Sequence, residues 1–137
     1  MPVLQFAASL RNSRLDNIET FIGSAPMMQI LSGAIPSSVS AANSGTLLAE
    51  MQLPSDWMGV ASSGSKQKLG TWQDASACAT GPAGYFRIKD TAAASTWIQG
   101  NVGGTGSGSA LELDNTSITS GQQVTINTFT LTDGNND

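Results

Sequence analysis

The sequence predicts an all-β domain, an antiparallel β-sandwich or barrel with one short N-terminal helix. Three observations lead there. Only one segment has a helical period, several short apolar and β-branched runs follow it, and Gly, Pro, Asn and Ser separate those runs. The 137 residues fit one domain, 1–137, long enough to bury a core without staples.

The helix is expected over residues 10–23. In NSRLDNIETFIGSAP, Leu15, Ile18, Phe21 and Ile22 fall on one helical face. Asn12 or Ser13 can cap the first turn, Asp16 and Glu19 sit toward the positive end of the dipole, and Gly23 stops the helix. Pro26 forbids continuation. An irregular arm, 1–9, precedes this element, and a flexible tail, 133–137, follows a β region of 26–132.

Strands are expected in MMQIL (27–31), TLLAEMQL (46–53), KQKLGTW (66–72), YFRIKD (85–90), TWIQGNV (96–102), ALELD (110–114) and QQVTINTFTLT (122–132). The run WMGVA (57–61) adds a short eighth. In YFRIKD, Tyr85, Arg87 and Lys89 share one face, and Phe86 and Ile88 the other. In the last run the apolar face switches at Thr128, which implies either a bulge or burial on both sides. Turn signals are SGAIPSS, SSGS, TGPAG, GGTGSGS and SGQQ, and residues 103–109 read as a hairpin loop.

Charged residues make up only 12% of the chain, about half the usual share. Ser, Thr, Gly, Asn, Gln and Ala take their place, so the surface solvates well but has little charge to hold it off a partner. The net charge of −4 and the scattering of six basic residues argue against nucleic acid, whose binding draws on clustered Lys and Arg. A single cysteine, Cys78, cannot close an internal disulfide. MPVLQFAASLRNSR lacks a basic leader, and no run approaches the roughly 20 apolar residues of a membrane span. Synthesis in a cytoplasm, with no membrane partner, is expected.

The chain contains no histidine, which removes the commonest general base and every Ser-His-Asp or Cys-His arrangement within one chain. A zinc site would have only Cys78 to use, and its small neighbours in SACAT mark a buried, inert thiol. The acids show no pairing by spacing. Asp16 and Glu19 read as dipole partners, Asp90, Asp114 and Asp133 as turn residues, and Glu50 and Glu112 as outward-facing strand residues. GNVGGTGSGS leads into a strand pattern without the helix and Lys that a phosphate loop requires. TDGNND lacks the spacing of a calcium loop. No catalytic residue, cofactor or metal ligand is expected.

Interaction is the remaining possibility. Trp72 and Trp97 lie in strand runs and are expected in the core. Trp57 and Met58 follow a Pro-Ser turn and read either as interface anchors or as a lid over one end of the sandwich. Val3, Leu4 and Phe6 in MPVLQFAASL either lie along a neighbour or form an edge strand. The candidate interface is therefore Val3, Leu4, Phe6, Trp57 and Met58.

The succession LLAEMQLPSDWM, ASSGSKQKLGTWQD, SACATGPAGYFRI, WIQGNVG and LELDNTSITSGQQVTINTFTLT resembles a family of small virion proteins of tailed bacteriophages and prophages. The likeness covers nearly the whole chain after residue 10. It implies a non-enzymatic structural component made in a bacterial cytoplasm. Within that class it implies a capsid decoration, or cement, protein. Such a protein is a jelly-roll β-sandwich on the outer capsid surface of the virion. Its partners are the major capsid protein and itself, as a homo-oligomer (dimer or trimer) whose weak contacts add through multivalency. The alternatives are a tail or baseplate component, and a carbohydrate-binding module using Trp57, Trp72 or Trp97.

Overall fold

Runs of alternating apolar residues become strands, and the one helical period becomes a helix. The computed structural model describes residues 3–133 as a mostly β molecule with a single helix among them. The elements are α1 (Ala8–Ile22), β1 (Met27–Ser32), β2 (Leu47–Gln52), β3 (Ser65–Gln67), β4 (Trp72–Asp74) and β5 (Gly81–Lys89), followed by β6 (Thr96–Gly104), β7 (Leu111–Leu113), β8 (Ser117–Ile118), β9 (Val124–Ile126) and β10 (Thr130–Thr132). The tail TDGNND and its flexible-tail expectation lie outside the described residues beyond Asp133.

The helix starts earlier than expected, after Ala7, with no side-chain cap. Gly23, at φ 93°, takes the chain out of it, and its N–H bonds Glu19 O at 3.0 Å. Asn12 is therefore a full turn inside, and its Oδ1 accepts from Gly64 N at 2.9 Å. Leu15 and Ile22 are buried, but Phe21 is 65% exposed. Six residues of helix turn Phe21 about 120° away from Leu15, so the two cannot share a buried stripe.

The main sheet runs β2-β1-β5-β6-β7, with β8 added to the start of β5. Two ribbons, β3·β10 and β4·β9, lie outside it, so the molecule is a curled, mixed sheet. Trp57, Trp72, Val124, Ile126 and Phe129 from the far side join Met28, Ile30, Phe86 and Ile88 of the sheet in one core. Truncating any one of these large side chains costs about 2–5 kcal/mol.

Five expectations change. KQKLGTW breaks into β3 and β4, which pair with different partners, and 122–132 breaks into β9 and β10. The switch at Thr128 thus marks a change of partner, from β4 to β3. WMGVA supplies only an isolated bridge between Met58 and Lys68. TGPAG is no turn but the first part of β5, where Gly81 and Pro82 pair with Ile118 and Ser117. Gly84 belongs there because a Cβ would stand 2.0 Å from Gly33 O. Residues 103–109 do not form a hairpin, since β6 and β7 run parallel. Glu112 closes that tight loop by accepting from Gly106 N at 3.2 Å and Gly108 N at 2.8 Å.

Candidate interaction surface

Strand β5 is buried on both faces over Tyr85, Phe86, Arg87 and Ile88. Phe86 and Ile88 point to the core, while Tyr85 and Arg87 lie beneath the segment 33–46. The register sets Glu50, Gln29, Arg87 and Gln99 in one row across four strands. Gln29 Nε2 donates to Glu50 Oε2 at 2.6 Å, and Asn43 Nδ2 to Gln29 Oε1 at 3.0 Å. Arg87 spends all its N–H groups on neutral acceptors. These are Ala41 O (2.7 Å), Asn43 Oδ1 (2.9 Å), Ser38 O (3.3 Å) and Gln99 Oε1 twice (3.0 and 3.2 Å). Tyr85 Oη donates to Ser44 O at 2.6 Å and accepts from Ser44 N at 2.9 Å. The row therefore ties an irregular segment to a sheet face.

A second buried cation ties the helix down. Lys66 Nζ, 1% exposed, donates to Asp16 Oδ1 (2.7 Å), Glu19 Oε1 (2.9 Å) and Gly59 O (2.8 Å). Asp16 Oδ1 also accepts from Ala61 N at 3.0 Å. Asp16 and Glu19 are thus clamps on Lys66 rather than solvated dipole partners. Hydrogen bonds from Lys66 and then from Ala61 N hold the Asp16 carboxyl below its ordinary value. Burial pulls the Lys66 ammonium down, but the hydrogen bonds of Asp16 and Glu19 outweigh it and leave it raised. Arg14 adds an exposed fork to Asp133, at 2.6 and 2.5 Å, which depresses the Asp133 carboxyl.

Of the candidate interface residues, the structure keeps Val3, Leu4 and Phe6 apart from Trp57 and Met58. Val3 and Leu4 are 84% and 65% exposed, and the Phe6 ring packs on the Arg14 guanidinium at 4.5 Å. Residues 3–7 form no strand, so the edge-strand reading of Leu4 and Phe6 falls. Trp57 and Met58 are buried, which removes them as surface anchors. The Trp57 indole N–H donates to Gly23 O at 3.0 Å, so the residue locks the end of α1 onto the core. Cys78 is exposed, not buried. Partial desolvation, then the Asp74 and Glu50 carboxylates, push its thiol up.

Trp97 corrects the other way. Expected in the core, it is 42% exposed, and its ring meets Phe21 edge to face at 4.9 Å. The alternation of TWIQGN could have shown this, because Trp97 shares parity with Gln99 and Asn101 rather than with Ile98. Trp97 and Lys89 border a groove of about 430 Å³ between residues 39–43 and 94–97. Among the described residues no helix is long and apolar enough to cross a membrane. No protein-family model, curated protein or solved structure matches the chain.

Proposed function

We propose that the chain is a structural virion protein that binds the outer surface of a tailed-phage capsid and stabilises the shell as a homo-oligomer. Its finer architecture on this reading is a jelly-roll β-sandwich, with the main sheet and the two ribbons as its two layers. The observation that carries the reading is the arm ahead of α1. Val3 and Leu4 are uncovered, while the chain just behind them is anchored by Phe6 on Arg14 and by the bond from Arg11 Nε to Phe6 O at 3.2 Å. A short apolar arm on a fixed root suits insertion along a neighbouring subunit. The neutral, hydroxyl-rich surface and the resemblance of the strand motifs support the same reading. Contacts weak in one copy become persistent across a symmetric array.

Purified heads and tails of a particle carrying this protein test the proposal. Heads should hold many copies, and heads lacking it should release DNA at lower temperature. Truncation of residues 1–5 should abolish binding to bare heads without changing the unfolding midpoint. Finding the protein in tails alone sinks the reading.

A further inference from the structure

Most polar side chains described above find partners within the chain, and two that do not lie together. Lys66 makes three contacts and Lys68 donates to Gly70 O at 2.7 Å, whereas Lys89 has no polar partner among the described residues. The indole N–H groups of Trp57 and Trp72 donate to Gly23 O and Leu69 O, whereas that of Trp97 has no acceptor there. Both Lys89 and Trp97 line the same groove. Its volume of about 430 Å³ falls within the range of roughly 300–1,000 Å³ usual for small-molecule sites.

We propose that this groove binds an acidic saccharide, with a pyranose face stacked on Trp97 and a carboxylate on Lys89. Each part of the site matches one part of that ligand. Trp97 is 42% exposed and lines the groove, and its perpendicular contact with Phe21 at 4.9 Å supports an indole whose ring can stack on polarised C–H bonds. Ser95 and Thr96 add hydroxyls to the lining. No carboxylate lines the groove, although the chain is acidic overall. The nearby Asp90 is occupied as the acceptor for Ala94 N at 2.8 Å.

The charge complement favours a carboxylate over a phosphate. Arg87 also lines the groove, but its N–H groups are used within the chain, which leaves Lys89 as the free cation there. A phosphate draws on several donors, commonly an Arg fork or a helix N-terminus. The same Arg87 bonds hold residues 38–43 in place, so the wall is formed before a ligand arrives. This assignment goes beyond the capsid reading and does not depend on it.

The test is titration of the purified full chain with digalacturonic acid and with its neutral methyl ester, followed by indole fluorescence and ligand-observed NMR. A panel of glucuronate and N-acetylneuraminate extends it. Saturable binding of an acidic sugar is expected, with the ester about fivefold weaker or more. Lys89→Gln should erase the difference between acid and ester. Trp97→Ala should abolish saturation, while Trp97→Phe keeps part of it. An unchanged unfolding midpoint separates these effects from misfolding. A silent panel, equal affinity for acid and ester, full binding by Trp97→Ala, or tighter binding of AMP, titrated alongside as the phosphate probe, each overturns the site. None of these outcomes touches the capsid reading, which is tested on particles.

Discussion

Arg87 and Lys66, the two most deeply buried cations, solve one problem in opposite ways. Arg87 sits under the segment 33–46 and is held by neutral carbonyls and amides, with Glu50 two side chains away through Asn43 and Gln29. Lys66 sits under the helix and is held by two carboxylates, one of them 43% exposed. A planar guanidinium can serve several acceptors at fixed angles, so it can order a segment that has no secondary structure of its own. An ammonium is a compact point charge and suits a rigid helix that brings its acids with it. The first side therefore depends on geometry, the second on charge.

Removing the geometric anchor should cost most. Arg87→Met leaves loop carbonyls and side-chain amides without donors inside the protein, and about 3–5 kcal/mol of stability should go. Urea unfolding measures this, and hydrogen exchange at residues 38–46 should speed up before exchange in α1 does. A loss below about 1 kcal/mol would break the comparison. Gly84→Ala comes next, at about 2–3 kcal/mol, because the new Cβ meets the backbone at Gly33 and no side chain can yield. Its thermal midpoint should fall without loss of the helical circular dichroism signal.

The charged side should tolerate more. Lys66→Met fills the same volume with apolar atoms, and Asp16 and Glu19 can turn to water. The expected cost is about 1–2 kcal/mol, mostly from the orphaned Gly59 carbonyl and the loosened helix. If Lys66→Met destabilises more than Arg87→Met, the ranking of geometry over charge is wrong.

How much of this was legible follows from where each interaction is encoded. Strands β1, β2, β5 and β6 and the helix were readable because their periods are local. The breaks at 68–71 and 127–129 were not, because they record a change of partner across the sheet. Arg87 in YFRIK looks like a solvent-facing residue, and only the covering segment buries it. That segment left a trace, since residues 20–49 carry no charged side chain at all. A long uncharged stretch rich in Ser, Ala and Gly could have been read as a cover rather than a loop. Trp57 stayed open between anchor and lid for a similar reason. Its Pro-Ser turn is local, but the acceptor of its indole lies at Gly23. Lys89 could not be singled out from sequence, because being unpaired is a property of the whole structure.

The smallest effect, and the sharpest division between the two sides, is with pH. Asp16 titrates below its ordinary value of 3.8 in the folded chain. A depressed carboxyl contributes stability above the ordinary value and loses it as pH falls through the lower, folded one. Lys66 is raised above 10.5, so its share is complete below that value and disappears as pH climbs through the folded one. The clamp on α1 is therefore fully effective only between these limits. Around Arg87 the direct acceptors are carbonyls and amides, which have no proton to gain in this range. Hydrogen exchange followed from about pH 7 down to about pH 3 should show α1 and residues 59–66 losing protection, relative to intrinsic rates, before residues 38–46 do. Asp16→Asn should flatten that acid limb. Asp133→Asn, which touches the exposed fork to Arg14, should leave most of it. Loss of protection in step on both sides would show that the two cations do not hold separable regions.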